Sequence, residues 1–215
     1  MAQTLRFDTG SPEDTQAVGE LIGRLAQSGD IFLLTGPLGA GKTCLSQGIA
    51  RGLEIPQNLR SPTFVLMTRH QGRLVLHHVD LYRINDPWEA WDLGLDEQMM
   101  GDGVCVVEWA DKATEIFPAD SCWISLDYGP HESCRTLTIA TTPLPDTSLL
   151  DEPSSVVNEA VPRYESLIRH LKAAFPTQVD DETGVEKMSE DWPAIDAATS
   201  DWETGDGETN GEGVN

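Results

Sequence analysis

The residues best placed to do chemistry stand in the run GPLGAGKT, Gly36 to Thr43. Gly36, Gly41, Lys42 and Thr43 fall on the spacing G-x-x-x-x-G-K-[ST], a turn that wraps phosphate groups. Glycine lets a backbone curl without Cβ clashes. The N–H groups of Leu38, Gly39, Ala40 and Gly41 are then free to point inward, toward the positive end of the following helix. Lys42 is expected to reach the β- and γ-phosphates of a nucleotide, and the Thr43 hydroxyl to ligate Mg²⁺.

A phosphate site that works on its ligand needs carboxylates close by, and two apolar runs end in one. RLVLHHVD ends at Asp80 and GVCVVE ends at Glu108. Acids at these places hold a metal, directly or through water, or orient the attacking water. With Thr43 they make a Mg²⁺ shell. Thr63, in the loop run SPTF, is a candidate switch that senses γ-phosphate and metal. His77 and His78 are neighbours on a strand and point to opposite faces, which predicts one packed and one exposed ring rather than a metal pair.

The elements that must position these residues are legible around them. IFLLT (31–35) is a short apolar run suited to a buried strand, and Leu45, Ile49 and Leu53 repeat four apart as on one helical face. Upstream, LRFDT (5–9) predicts an edge strand. Ser11-Pro12-Glu13-Asp14 predicts a capped helix start, with Val18, Leu21, Ile22 and Leu25 on its apolar face. TFVLMTRH and RLVLHHVD flank Gln71-Gly72 and predict an antiparallel hairpin. DPWEAWDLGLDEQMM reads as one or two short helices, GVCVVEW as a second buried strand, and ADKATEIF as a short helix stopped by Pro118. CWISLDY and CRTLTIAT form a closing antiparallel pair. The whole is an α/β domain of the P-loop NTPase type, its mixed and partly antiparallel sheet flanked by helices. In such sheets ligands sit beyond the carboxyl ends of the strands.

The expected organisation is a P-loop domain over 1–142, a linker over 143–160, a helix over 161–176 and an acidic disordered tail over 177–215. The helix carries Tyr164, Leu167, Ile168 and Leu171 on one face and is expected to dock back on the core. Of 215 residues, 14 are Lys or Arg and 36 are Asp or Glu, for a net charge of −22. Half of that excess lies from Thr177 onward, where 12 acids meet one lysine. So few aliphatic residues among so many acids cannot bury enough surface to fold alone. Strong acidity also argues against direct gripping of nucleic acid. The local exception is Arg51, Arg60, Arg69, Arg73 and Arg83, a solvated face or a contact for an acidic partner or RNA. Cys44, Cys105, Cys122 and Cys134 form no C-x-x-C pair, and three of them lie in strand-like apolar runs, where Cys behaves as a small hydrophobe. With no signal peptide or long apolar span, the default is a soluble, cytoplasmic, membrane-free protein.

Taken together, GPLGAGKT, SPTF, HHVDLYR and VEWADK, in this order and spacing, resemble the TsaE family (also called YjeE), with DLGLDE (92–97) fitting the stretch after HxDLYR. The resemblance covers roughly residues 5–142. It implies a bacterial P-loop ATPase of the pathway that makes N6-threonylcarbamoyladenosine in tRNA, next to the anticodon of ANN-decoding tRNAs. The family binds the threonylcarbamoyltransferase subunit TsaD and its partner TsaB, meets tRNA through that complex, and does not itself transfer the carbamoyl group. By position, the resemblance gives Lys42 and Thr43 to phosphate and Mg²⁺, Thr63 to the switch, Asp80 and Glu108 to metal and hydrolysis, and Trp109 and Arg135 to the neighbourhood of the nucleotide. Two departures stand out: the family loop begins Gly-Asp and continues Lys-Thr-Thr, where this chain has Pro37 and Cys44. Proline lacks the N–H that a phosphate would accept from.

The residues weigh against two rivals. A GTPase needs a guanine reader such as N-K-x-D, which is absent. A small-molecule kinase usually brings an Arg-rich lid, whereas between Glu108 and residue 142 the only cations are Lys112 and Arg135. The expected activity is a slow ATPase completed by a partner. The alternatives are a nucleotide-gated binding module that does not need hydrolysis, and a metabolite kinase.

Overall fold

A computed structural model of the chain describes residues 4–56, 59–63, 65–91, 94, 95, 99, 101–141, 162–175, 177–179 and 186–188. The expected linker (143–160), Phe64, most of DLGLDE and most of the acidic tail lie outside the described residues. Seven strands form one sheet: β1 (Thr4–Thr9), β2 (Asp30–Thr35), β3 (Met67–Gln71), β4 (Val75–Asp80), β5 (Val104–Glu108), β6 (Cys122–Tyr128) and β7 (Arg135–Ala140). Their order is β1-β7-β6-β2-β5-β4-β3. The central four run parallel, while β3, β7 and β1 pair antiparallel at the flanks. This is the mixed α/β sheet expected, with LRFDT on an edge and both antiparallel pairs in place.

Alternation along the central strands divides the core in two. Phe32 and Leu34 of β2, Val104 and Val106 of β5, and Ile124 of β6 face one layer. Ile31, Leu33, Cys105, Val107 and Trp123 face the other. Strands buried on both faces read as unbroken apolar runs, which is how they appear in the sequence. The first layer is covered by α1 (Pro12–Leu25), α2 (Lys42–Gly52) and α4 (Pro162–Ala174). Ser11 caps α1, its hydroxyl accepting from Asp14 N at 3.1 Å. The second layer holds the short helix α3 (Pro87–Trp91) and two 3₁₀ turns, Ala110–Lys112 and Thr114–Ile116. The single helix expected over ADKATEIF is therefore broken. Trp109 enters it at φ 61°, in the left-handed region, and Ala113 at φ −150° interrupts the turn.

Helices α1 and α2 approach backbone to backbone. A Cβ on Gly48 would run into the Gln16 carbonyl, and one on Gly23 into the Ile49 carbonyl. Gly48→Ala would gain roughly 1 kcal/mol of helix propensity, but separating the helices costs about 1–3 kcal/mol. Chemical denaturation of this variant is expected to show a net loss of stability; a gain would mean that the helices are not held at this separation.

α4 docks as its apolar face implied, with Tyr164, Leu167, Ile168 and Leu171 buried. The Tyr164 hydroxyl accepts from Ile31 N at 3.0 Å, and Arg163 pairs with Asp30 at the start of β2. Burial raises the Asp30 carboxyl above its ordinary value, against the pull of the Gln27 N–H and Arg163. Beyond α4, within the stretch read as an unordered tail, Thr177–Val179 (β8) and Glu186–Met188 (β9) pair as a short antiparallel ribbon, with β9 beside β1. Arg73 turns away from the expected basic face. Its Nη2 lies 2.5, 2.8 and 2.7 Å from the carbonyls of Gly23, Arg24 and Ala26, closing the end of α1.

His77 and His78 are both buried, contrary to the expectation of one exposed ring. β4 is an interior strand, so each of its faces is covered. Cys105 and Cys122 are buried strand residues, and burial pushes the Cys105 thiol up to about 12. Cys134 instead precedes β7 and is half-exposed.

Candidate functional site: a phosphate loop facing two strand-end carboxylates

The loop from Gly36 to Gly41 joins β2 to α2. Gly36 has φ 129°, and a Cβ there would strike the Leu126 carbonyl, so only glycine makes this turn. Gly41, at φ 104°, is the N-cap of α2 and offers no side-chain cap. The first-turn N–H groups of an α-helix have no acceptor within the helix. Here that turn begins with Lys42, Thr43 and Cys44, beside a cavity of ≈ 410 Å³. Its walls include Leu38, Gly39, Gly41, Lys42, Thr43, Thr63, Asp80, Glu108 and Trp109. Nine of the twelve candidate residues thus meet at one opening. Gly36 and Ala40 lie outside the lining, Ala40 with its methyl in the core. Arg135 lies behind the loop apex, with Nη2 3.2 Å from the Gly39 carbonyl.

Lys42 folds back on its own loop. Its Nζ donates to the carbonyls of Gly36 (2.5 Å) and Pro37 (2.9 Å) and stands 3.6 Å from the centre of the Trp109 ring. Burial lowers its pKa from the ordinary 10.5, and the charges of Glu108, Asp111 and Asp80 only partly oppose this. Trp109 is packed in turn against Tyr82, with ring centres 4.9 Å apart.

The two acids sit side by side, because the β4–β5 register pairs Asp80 with Glu108. Thr43 Oγ1 donates to Glu108 Oε2 at 2.7 Å. Glu108 Oε1 accepts from Ser46 Oγ at 3.0 Å and from His78 Nε2 at 2.8 Å. Asp80 Oδ2 accepts from Thr63 at 2.8 Å and also from Ser61, while Oδ1 accepts from Tyr82 N at 2.9 Å. The loop threonine is thereby tied to the acid at the end of β4.

The oxygens of Thr43, Asp80 and Glu108 suit a hard divalent cation. The Thr43 hydroxyl gives its one proton to Glu108 and keeps its lone pairs for a metal. Among the described residues no three His, Cys, Asp or Glu side chains gather into a metal cage.

Sequence reasoning passed over Ser46, Ser61 and Tyr128, and weighed His78 only as a metal ligand or a packed ring. Ser46 follows Lys42 by four residues and so shares its helix face. His78 precedes Asp80 by two and so shares its strand face. Those periodicities were available signals. Tyr128, whose hydroxyl donates to the Leu38 carbonyl at 2.5 Å, had none; only the sheet order brings it to the loop.

The chain is also similar to known proteins. A family model described as "Threonylcarbamoyl adenosine biosynthesis protein TsaE" covers residues 9–137 of this chain. The chain belongs to the TsaE family. A Treponema pallidum protein named tRNA threonylcarbamoyladenosine biosynthesis protein TsaE is 40% identical over 122 residues, 57% of this chain and 90% of that protein. A Bacillus subtilis protein of the same name is 44% identical over 117 residues, 54% of this chain and 73% of that one. The crystal structure titled "Bacillus subtilus YdiB" superposes with a TM-score of 0.62 at 32% identity, over 80% of this chain and 97% of that one. The TsaE match takes in the whole loop, Thr63, both strand-end acids and Arg135, and stops before α4. Among the described residues no helix is long and apolar enough to cross a membrane.

Proposed function

We propose that this chain is the ATP-binding and ATP-hydrolysing subunit needed to make N6-threonylcarbamoyladenosine in tRNA. It acts in the cytoplasm through a TsaD-type transferase and its TsaB-type partner, and leaves the transfer itself to them. The observation that carries the reading is the Thr43–Glu108 hydrogen bond beside Lys42. It joins a phosphate-binding turn to a strand-end acid inside one cavity, in a chain whose relatives carry the name of that pathway.

In this reading Lys42 leaves the Gly36 and Pro37 carbonyls for the β- and γ-phosphates. Thr43, Asp80 and Glu108 hold Mg²⁺, which neutralises phosphate charge. Thr63, already bonded to Asp80, reports whether the γ-phosphate is present. Trp109 walls the site, and Arg135 braces the loop through Gly39. Among the described residues lining the cavity Lys42 is the one cation. A charge supplied by a partner would therefore matter, since such groups raise phosphoryl-transfer rates by about 10³–10⁵. Reconstituted modification tests the function: TsaD, TsaB, tRNA and the other substrates should give multiple turnovers only when this chain and ATP are added. Equal product without the chain would exclude it.

A second reading, ATP-gated docking with incidental hydrolysis, has one observation in its favour. Both oxygens of Glu108 are already engaged by donors of the chain itself.

Nucleotide affinity should also depend on pH. Burial disfavours the Lys42 ammonium in the free protein, and bound phosphate favours it, so ATP binding takes up a proton above the lowered pKa. Affinity is expected to fall as pH rises through that value, below the ordinary 10.5. Titrations at a series of alkaline pH values check this; constant affinity up to 10.5 would contradict it.

A further inference from the structure

His78 is a fully buried ring with one polar contact, Nε2 to Glu108 Oε1 at 2.8 Å. Its other nitrogen, Nδ1, is buried without a hydrogen-bond partner. With Nδ1 unpartnered and a carboxylate oxygen facing Nε2, the hydrogen is assigned to Nε2. An apolar side chain of similar size would fill this place without an orphaned nitrogen. The Glu108 contact is therefore what the imidazole adds.

The geometry places that contact where it can matter. His78 precedes Asp80 by two on β4, and the register sets Asp80 opposite Glu108 and His78 opposite Val106. The ring thus meets the oxygen of Glu108 that Thr43 does not. Ser46 also reaches Oε1, but its single proton is contested by the Lys42 carbonyl at 3.0 Å. His78 is the donor committed to Oε1. It is no metal ligand in this arrangement, because Nε2 is engaged and Nδ1 is sealed.

We propose that His78 is a positioning residue: its Nε2–H pins Oε1 of Glu108, so that Oε2 alone faces Thr43 and the phosphate cavity. This rests on the reading of Glu108 as part of the nucleotide and magnesium site. A carboxylate held at one oxygen cannot spin about its last torsion, and presents the same acceptor in every cycle. Partners of this kind behind a ligand set typically matter 10- to 100-fold, an expectation of about that size here.

The test compares the full-length wild type with His78→Leu, which keeps the bulk and removes the donor, and His78→Gln, whose amide Nε2 can reach the same oxygen. In His78→Leu, the Mg²⁺ concentration that half-saturates tight binding of a fluorescent ATP analogue should rise about tenfold. Partner-stimulated kcat should fall by about 10- to 100-fold while KM for ATP stays within about threefold. His78→Gln should recover most of both. A crystal structure of His78→Leu should show Glu108 turned off its present orientation. Equal losses in the Leu and Gln variants, or an unmoved Glu108 with an unchanged Mg²⁺ requirement, would overturn the proposal. If His78→Leu does not fold, His78→Asn, whose amide falls short of Oε1, replaces it in the comparison with His78→Gln. A wild type that binds no ATP analogue would sink the nucleotide reading instead, and the Glu108 orientation in the variant crystal would still decide the positioning claim.

Discussion

Lys42→Ala is expected to abolish partner-stimulated ATP turnover, by about 10³-fold or more. The lysine is the one cation among the described residues that line the cavity. Losing a hydrogen bond to a charged group costs about 1.5–3 kcal/mol, which is roughly 10- to 150-fold in ATP affinity. The additional loss in turnover comes from charge that develops only during phosphoryl transfer. The fold should survive, since Lys42 bonds only loop carbonyls and touches Trp109. Burial already disfavours its charge, so truncation relieves a cost as it removes a contact. Turnover measured beside a thermal melt separates the two effects. Wild-type turnover in a folded variant would mean that phosphate is held elsewhere.

Glu108→Gln is expected to lower turnover by about 10²-fold or more, with ATP binding changed only a few-fold. Two donors, Ser46 and His78, face Oε1, so the new amide nitrogen cannot sit there without meeting N–H or O–H. It must turn toward Thr43, whose hydroxyl can rotate and accept. That occupies a lone pair needed for the metal, and the carboxylate charge is gone as well. Assaying hydrolysis and tRNA modification on the same preparation gives the variant its force. Loss of both supports an ATPase whose hydrolysis is required. Loss of hydrolysis with modification intact would favour ATP-gated docking.

The parts of this site that came from local pattern were legible in the sequence. A strand, a glycine turn and a helix start are contiguous, so IFLLTGPLGAGKT announced both the loop and its scaffold. Asp80 and Glu108 were visible because each closes an apolar run. What pattern could not show is how the strands are ordered. That order brings Tyr128 on β6 to the Leu38 carbonyl and buries His77 on an interior strand. His78 beneath Glu108 needed the register between β4 and β5, which no single segment carries. The break in ADKATEIF turns on the left-handed backbone of Trp109, a conformation that propensity alone does not foresee. The docking of α4 was foreseen from its apolar stripe, but its anchor on β2, Arg163 to Asp30, was not.

The central claim is an ATPase completed by its partners, and ATP turnover of the full-length chain tests it most directly. The rate should be measured alone and then with the TsaD-type and TsaB-type subunits of the same organism. Slow turnover alone that rises sharply with the pair, and is absent in Lys42→Ala under both conditions, is the result expected here. Turnover that the pair leaves unchanged would contradict the account.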